Sequence, residues 1–295
     1  MEKRTYGKTG MDVSVLGFGA SEIGSGVSQA DVDKLLGSAI DAGLNIIDTA
    51  ECYGDSEELI GNSISHRRDD FYLFTKCGHA SRIDGSDWDP VVLAATIDRS
   101  LKRLKVDHVD MIHLHSCSEE VLRKGEVIEV LQRAKQEGKT RFIGYSGDTT
   151  DALYAVKTDV FDSLETSLNV ADQEIIDLVL PEAIKRDMGV TVKRPIANAA
   201  WLFDTVDPDD YAYVYWERLR DLQYGFQSEP DSVGTALRFT LSTPGVHTAI
   251  VGTTKPDRWQ QNAKLLEAGA LDQKRYDEIR RRWHEIAPAD WTGRT

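Results

Sequence analysis

Four polar residues, Asp48, Tyr53, Lys76 and His115, stand where apolar, strand-like runs reach their C-terminal ends. A phenol, with an ordinary pKa of about 10, is a poor acid at neutral pH unless a nearby cation stabilises its phenolate. Lys76 can supply that cation, and Asp48 can supply the counter-charge that keeps an ammonium protonated and in place. A neutral His115 can donate a hydrogen bond to a carbonyl oxygen and hold it toward the phenol that protonates it. The expected chain runs from Asp48 to Lys76 to Tyr53, a proton-transfer site. No amino acid is a hydride source, so carbonyl reduction at such a site calls for a nicotinamide cofactor. Taken singly, each residue has a structural reading: a surface tyrosine beside Gly54, a snorkelling lysine, a histidine closing a core. Their joint placement on three successive strand ends favours chemistry.

Residues so far apart in sequence meet only if parallel strands bring their ends to one rim, as in a (β/α)8 barrel. The chain supplies the elements. After a polar hairpin around Gly7 to Met11, strands are expected at 15–19, 45–48, 71–76, 109–115, 140–145, 163–166, 189–193 and 246–251. Between them lie helical patterns at 28–40, 56–65, 89–104, 126–136, 149–157 and 174–186, with a further helix near 271–286. Ser28 with Asp31, and Asp89 followed by Pro90, are the clearest helix starts. The rival, an open doubly wound sheet, normally carries G-x-G-x-x-G after its first strand. Gly17, Gly19 and Gly24 have the wrong spacing for it. The long connector 196–230, rich in Trp, Tyr and Asp, reads as a lid over the rim. The fold class expected is therefore α/β, a (β/α)8 TIM barrel with an N-terminal hairpin and an extra C-terminal helix, one domain over 1–295.

The composition agrees. A chain of 295 residues with 41% hydrophobic residues and 8 prolines can bury a large core within the size range of such barrels. A formal charge of −14 repels phosphate backbones and anionic lipid, which argues against nucleic-acid and membrane partners. The opening MEKRTYGKTG lacks the apolar core of a signal peptide, so a cytoplasmic protein is expected. Cys52, Cys77 and Cys117 cannot all pair within the chain and show no metal-type spacing. Free thiols are expected, no metal site is, and a redox-sensitive thiol beside the site is the alternative.

At these residues the chain resembles the aldo-keto reductases. Y-G-K-T-G-M-D-V-S-V-L-G-F-G is similar to that family's hairpin and first strand, and N-I-I-D-T-A-E-C-Y-G at 45–54 to the signature supplying its aspartate and tyrosine. F-T-K at 74–76 and V-D-M-I-H-L-H at 109–115 resemble the segments carrying its lysine and histidine. The family's histidine lies five residues after a strand-opening aspartate, here Asp110, which selects His115; His113 is expected to point toward the barrel's opposite face.

The resemblance implies an oxidoreductase for an aldehyde or ketone, or for the reverse alcohol oxidation, with Tyr53 as general acid and a dinucleotide bound across the rim. The implied cofactor residues are Gly19, Asp48, Ser146, Glu165, Lys193, Arg194, Thr253, Arg258 and Asn262. I-V-G-T-T-K-P-D-R-W-Q-Q-N at 250–262 is similar to the adenosine-phosphate segment, placing Thr253 and Arg258 at a 2′-phosphate and Asn262 at the adenine. NADP(H) is thus preferred, with NAD(H) as the alternative.

The chain also departs from the family. Gly252 stands where a basic residue is usual, Gly147 follows Ser146 in place of asparagine, Glu165 replaces a glutamine, and Lys193 replaces the aromatic residue that stacks on the nicotinamide. Glu165 and Lys193 are expected to form an ion pair beside the ring, since either charge buried alone is costly. Two other functions compete: a dinucleotide-binding regulatory protein with little turnover, resembling the potassium-channel β subunits, and a Schiff-base lyase using Lys76. Pocket walls are expected from 79–88, 116–124 and 201–224, loops that by inspection name no ligand.

Overall fold

A two-stranded antiparallel hairpin, β1 (Lys3–Thr5) and β2 (Asp12–Ser14), precedes eight parallel strands that close into a barrel. These are β3 (Leu16–Gly19), β4 (Ile46–Asp48), β5 (Tyr72–Cys77), β6 (Val109–His115), β7 (Thr140–Ser146), β8 (Ser163–Ser167), β9 (Gly189–Lys193) and β10 (Thr248–Val251). They pair in sequence order, and β10 closes the ring between β9 and β3. The computed structural model describes residues 1–256 and 258–294; Asp257, inside the 250–262 segment, and Thr295 lie outside them.

Strand alternation divides the apolar residues between two cores. Ile46, Phe74, Met111 and Ile250 fill the barrel interior, closed from below by Tyr6, Met11 and Val13 of the hairpin region. Leu16, Ile47, Leu73, Ile112, Leu164 and Val190 belong to the core shared with the surrounding helices. Burying each such side chain is worth roughly 1.5–3 kcal/mol. A one-residue slip in any strand would exchange these sets, so burial fixes the register and with it the height of every site residue.

The helices form where their caps and stripes indicate. Asp89 accepts a hydrogen bond from the Val91 backbone N–H at 2.8 Å, Pro90 begins the turn, and Val92, Leu93, Ile97 and Leu104 are buried along Pro90–Leu104. One expectation is corrected. The pattern at 174–186 is two short helices, Glu174–Leu178 and Leu180–Lys185, because Pro181 removes a donor and crowds the preceding turn. The connector 196–230 is a docked element: its Tyr213–Leu222 helix buries Tyr215, Leu219 and Leu222 in the outer core. Within this connector Leu202, Phe203 and Tyr211 expose large hydrophobic side chains. The 116–124 loop contains a helix, Glu119–Lys124, capped by Ser118. Among the described residues no helix is long and apolar enough to cross a membrane.

Candidate active site

Asp48 ends β4, Lys76 lies one residue before the end of β5, and His115 ends β6. Tyr53 sits on the loop between β4 and the Ser56–Ile64 helix. That loop is clamped: Tyr53 N–H donates to Ala50 O at 3.1 Å, and Asp55 N–H donates to Gly24 O at 2.9 Å. A Cβ on Gly24 would lie 2.0 Å from Tyr53 O, and one on Gly54, whose φ is +52°, would lie 2.1 Å from Gly24 O. Two loops therefore pass at backbone contact, a passage open only to glycine.

The four side chains converge. Lys76 Nζ donates to the Asp48 carboxylate and, at 3.1 Å, to Thr49 O. It lies 5.4 Å from the Tyr53 ring centroid. The Tyr53 hydroxyl is 3.5 Å from His115 Nε2, a loose contact of the kind that tightens around a substrate. Cys52 Sγ lies 3.4 Å from His115 Nδ1. Burial pushes the Cys52 thiol up to about 12, so it remains S–H and can donate in that contact. The tautomer in which Nδ1 accepts puts the imidazole proton on Nε2, facing the phenol.

Burial, reinforced by Lys76 and Lys193, holds His115 well below the ordinary histidine range, so the ring is neutral. Burial would push Lys76 down, but Asp48 and Glu165 outweigh it and hold it as ammonium. For Tyr53 the balance differs from the expected one: burial raises the phenol more strongly than Lys76 lowers it, which keeps the proton on its oxygen. Cys117 is likewise pushed up to about 12 by burial, and Cys77 is raised too, so none of the three thiols has the lowered pKa of a reactive cysteine.

The expected Glu165–Lys193 ion pair does not form. Ladder register explains why: Glu165 is level with Thr191, whereas Lys193 is level with Ser167, two residues higher. Lys193 Nζ instead reaches Asp148 Oδ2 at 3.1 Å. Glu165 Oε1 faces Lys76 Nζ at 3.3 Å, making a second carboxylate on that ammonium. His113 is also corrected. Two residues before His115, it shares the interior side of β6, buried 3.0 Å from Ser163 Oγ and packed on Phe74.

The other expected cofactor residues fall into two groups. Ser146 is level with both His115 and Glu165, and its hydroxyl donates to Glu165 Oε1 at 3.4 Å. The second group adjoins the β3/β10 pair: Gly19 ends β3, buried Thr253 follows β10, and exposed Arg258 and buried Asn262 lie on the Arg258–Lys264 helix. Arg194 is engaged by the protein itself. It donates to Ser167 Oγ at 2.6 Å and to the backbone carbonyl of Arg294, where the C-terminal stretch crosses the β8 and β9 tips. Ser167 Oγ donates to the same carbonyl at 2.9 Å, and Arg218 donates to Thr292 O at 2.9 Å. Nothing in the sequence marked this crossing. Glu51 and His79, likewise unmarked by spacing, flank the site; His79 N–H donates to Glu51 Oε1 at 3.1 Å, and its ring lies 5.2 Å from that of His115. An apolar cavity of about 470 Å³ lined by Met1, Arg4, Val15 and Leu241 shares no residue with this site.

The donor set fits a nicotinamide dinucleotide. Glu165 Oε2 is a buried acceptor without a partner, suited to a carboxamide N–H, and it lies beside the Ser146 hydroxyl.

The sequence profile described as the Aldo/keto reductase family matches residues 15–283. L-galactose dehydrogenase of Arabidopsis thaliana is 30% identical, the match covering 95% of this chain and 93% of that protein. D-threo-aldose 1-dehydrogenase of a Pseudomonas species is 25% identical over 86% of this chain and 90% of its own length. The holo form of an aldo-keto reductase from Bacillus halodurans superposes with a TM-score of 0.83 at 25% identity, covering 96% of each chain.

Proposed function

The chain belongs to the aldo/keto reductase family, and we propose that it is an NADP-dependent oxidoreductase that interconverts an aldehyde or ketone with its alcohol, Tyr53 giving the proton. One observation carries this reading: the Tyr53 hydroxyl is 3.5 Å from His115 Nε2, and the Lys76 ammonium, tied to Asp48, lies 5.4 Å from the centroid of the same Tyr53 ring.

The bound dinucleotide supplies the hydride. The protein's own side chains do the rest. His115 Nε2–H orients the carbonyl oxygen, and Tyr53, kept protonated by burial, donates to it. The phenolate left behind is stabilised by Lys76, which Asp48 fixes in position. Ser146 and Glu165 would hold the carboxamide, Gly19 would admit the pyrophosphate, and Thr253, Arg258 and Asn262 would hold the adenosine end. Arg258 supports the preference for a 2′-phosphate. Lys193 and Arg194 are proposed to act at the rim only through their contacts to Asp148 and the C-terminal stretch. A small carbonyl or alcohol is the partner proposed, and a cytoplasmic setting suits the charge of −14.

Two of the relatives are named for the oxidation of sugars, so aldoses belong first in any substrate panel. Fluorescence titration with NADPH and NADH, followed by carbonyls and sugars, tests cofactor, phosphate preference and turnover together. Saturable binding with turnover is expected. Tight binding without turnover on any substrate would favour the regulatory reading instead. The Schiff-base alternative loses support because Lys76 is held as ammonium between two carboxylates.

A further inference from the structure

Lys76 is one cation facing two buried carboxylates, Asp48 and Glu165. Among the described residues no second Lys or Arg lies within ion-pair distance of either carboxylate. Lys193, the nearest candidate, is committed to Asp148 at 3.1 Å. His113 Nδ1 stands 3.9 Å from Glu165 Oε2, but burial pushes that imidazole down to about 4, so it adds no charge at neutral pH. Asp48 Oδ2, Glu165 Oε2 and His113 Nδ1 all lack a hydrogen-bond partner. Ligand atoms of these three residues lie within 4.8 Å of one another. Burial and the neighbouring Glu165 charge hold Asp48 well above its usual range, while Glu165, despite burial, is drawn down to about 2, chiefly by Lys76, and stays ionised. A buried carboxylate in excess of its cations is expensive, and a site that keeps one has a use for an incoming positive charge.

The excess lies beside the hydroxyl of Ser146, level with His115, where the reading under Proposed function puts the nicotinamide. We infer that Glu165 makes this site select the oxidised dinucleotide, whose ring carries a positive charge, over the neutral reduced form, and so sets the chain to run as an alcohol dehydrogenase. This rests on that reading and adds the direction of the reaction. In that direction the alcohol carbon loses its hydrogen with both electrons to the oxidised ring, and the hydroxyl proton leaves through Tyr53 to water, giving carbonyl, reduced dinucleotide and one proton. A glutamine at this position accepts the same carboxamide N–H but makes no distinction between the two charge states. The carboxylate does, because at short range in a site with little water it attracts the positively charged ring and has no such attraction for the neutral one.

The test measures the dissociation constants of the oxidised and reduced forms of one dinucleotide for the full chain and for Glu165→Gln, by calorimetry or quenching of tryptophan fluorescence, without substrate. The ratio of reduced-form to oxidised-form constants is expected to drop by about tenfold or more in Glu165→Gln, the oxidised-form constant moving and the reduced-form constant nearly unchanged. A merely structural role, in which Glu165 only props Lys76, would weaken both forms together. An unchanged ratio with both forms bound therefore overturns the inference and leaves the dinucleotide site standing. Wild-type protein that binds neither form overturns both. Should Glu165→Gln fail to fold, the wild-type protein decides alone: tighter binding of the oxidised form is required, and tighter binding of the reduced form overturns the inference.

Discussion

Lys76 holds the electrostatics of the site together, because its ammonium is the cation that faces both Asp48 and Glu165. Removing it would leave two buried carboxylates facing each other. Lys76→Met is therefore expected to lower stability by about 3–5 kcal/mol, read from urea unfolding monitored by circular dichroism; a loss below about 1 kcal/mol would show that water already screens the pair. His113 sets a pH dependence. Its imidazole is held at about 4 in the folded chain, against roughly 6.5 when unfolded. The unfolded chain thus binds the extra proton first, and this residue's contribution to stability is present above about 6.5 and lost as pH falls toward 4. His113→Gln, which keeps a donor for Ser163, should flatten the fall of the urea midpoint over that window relative to wild type. The chemistry of Asp48, Tyr53, Lys76 and His115 could be read from residue type and position alone. The true partners of Glu165 and Lys193 could not, since they depend on a two-residue difference in height that only the β8/β9 register reveals.

Among the elements, the loop that carries Tyr53 is held by an approach that leaves no space for side chains. Gly54→Ala would press a methyl group against Gly24 O and hold an L-residue at φ +52°. About 1–3 kcal/mol of strain is expected. Because the clash is relieved by moving Tyr53, turnover should fall by at least about tenfold while dinucleotide affinity changes little. Steady-state kinetics beside a binding titration would show it, and equal losses in both would point instead to general unfolding. Local signals served well at this scale: Ser28 and Asp89 marked helix starts, and β6 and β9 have the bounds their patterns indicated. They served poorly where tertiary contacts decide. The break at Pro181 was visible in principle, but the docking of 213–222 and the crossing of the C-terminal stretch over Ser167 and Arg194 depend on surfaces far apart in sequence.

For the whole molecule, the hairpin plug ties the bottom of the barrel to the layer beneath the active site. Tyr6 Oη contacts Ser163 Oγ at 2.6 Å and Thr191 Oγ1 at 2.7 Å, and Ser163 in turn contacts His113. Tyr6→Phe should cost about 1–3 kcal/mol by leaving buried hydroxyls short of partners. If, as proposed, residues 1–295 form one domain, that loss will shift far-ultraviolet and tryptophan signals along a single transition; separate midpoints would contradict the single unit. The barrel was legible because eight apolar runs alternated with helical stripes, and a closed barrel ringed by helices buries both faces of every strand. The measurement that bears most directly on the central claim follows the absorbance of reduced nicotinamide with wild type and Tyr53→Phe on the best substrate of the panel. The account predicts that Tyr53→Phe binds dinucleotide within about threefold of wild type yet loses roughly 10²–10⁴-fold in turnover. A variant that turns over as wild type does would contradict it.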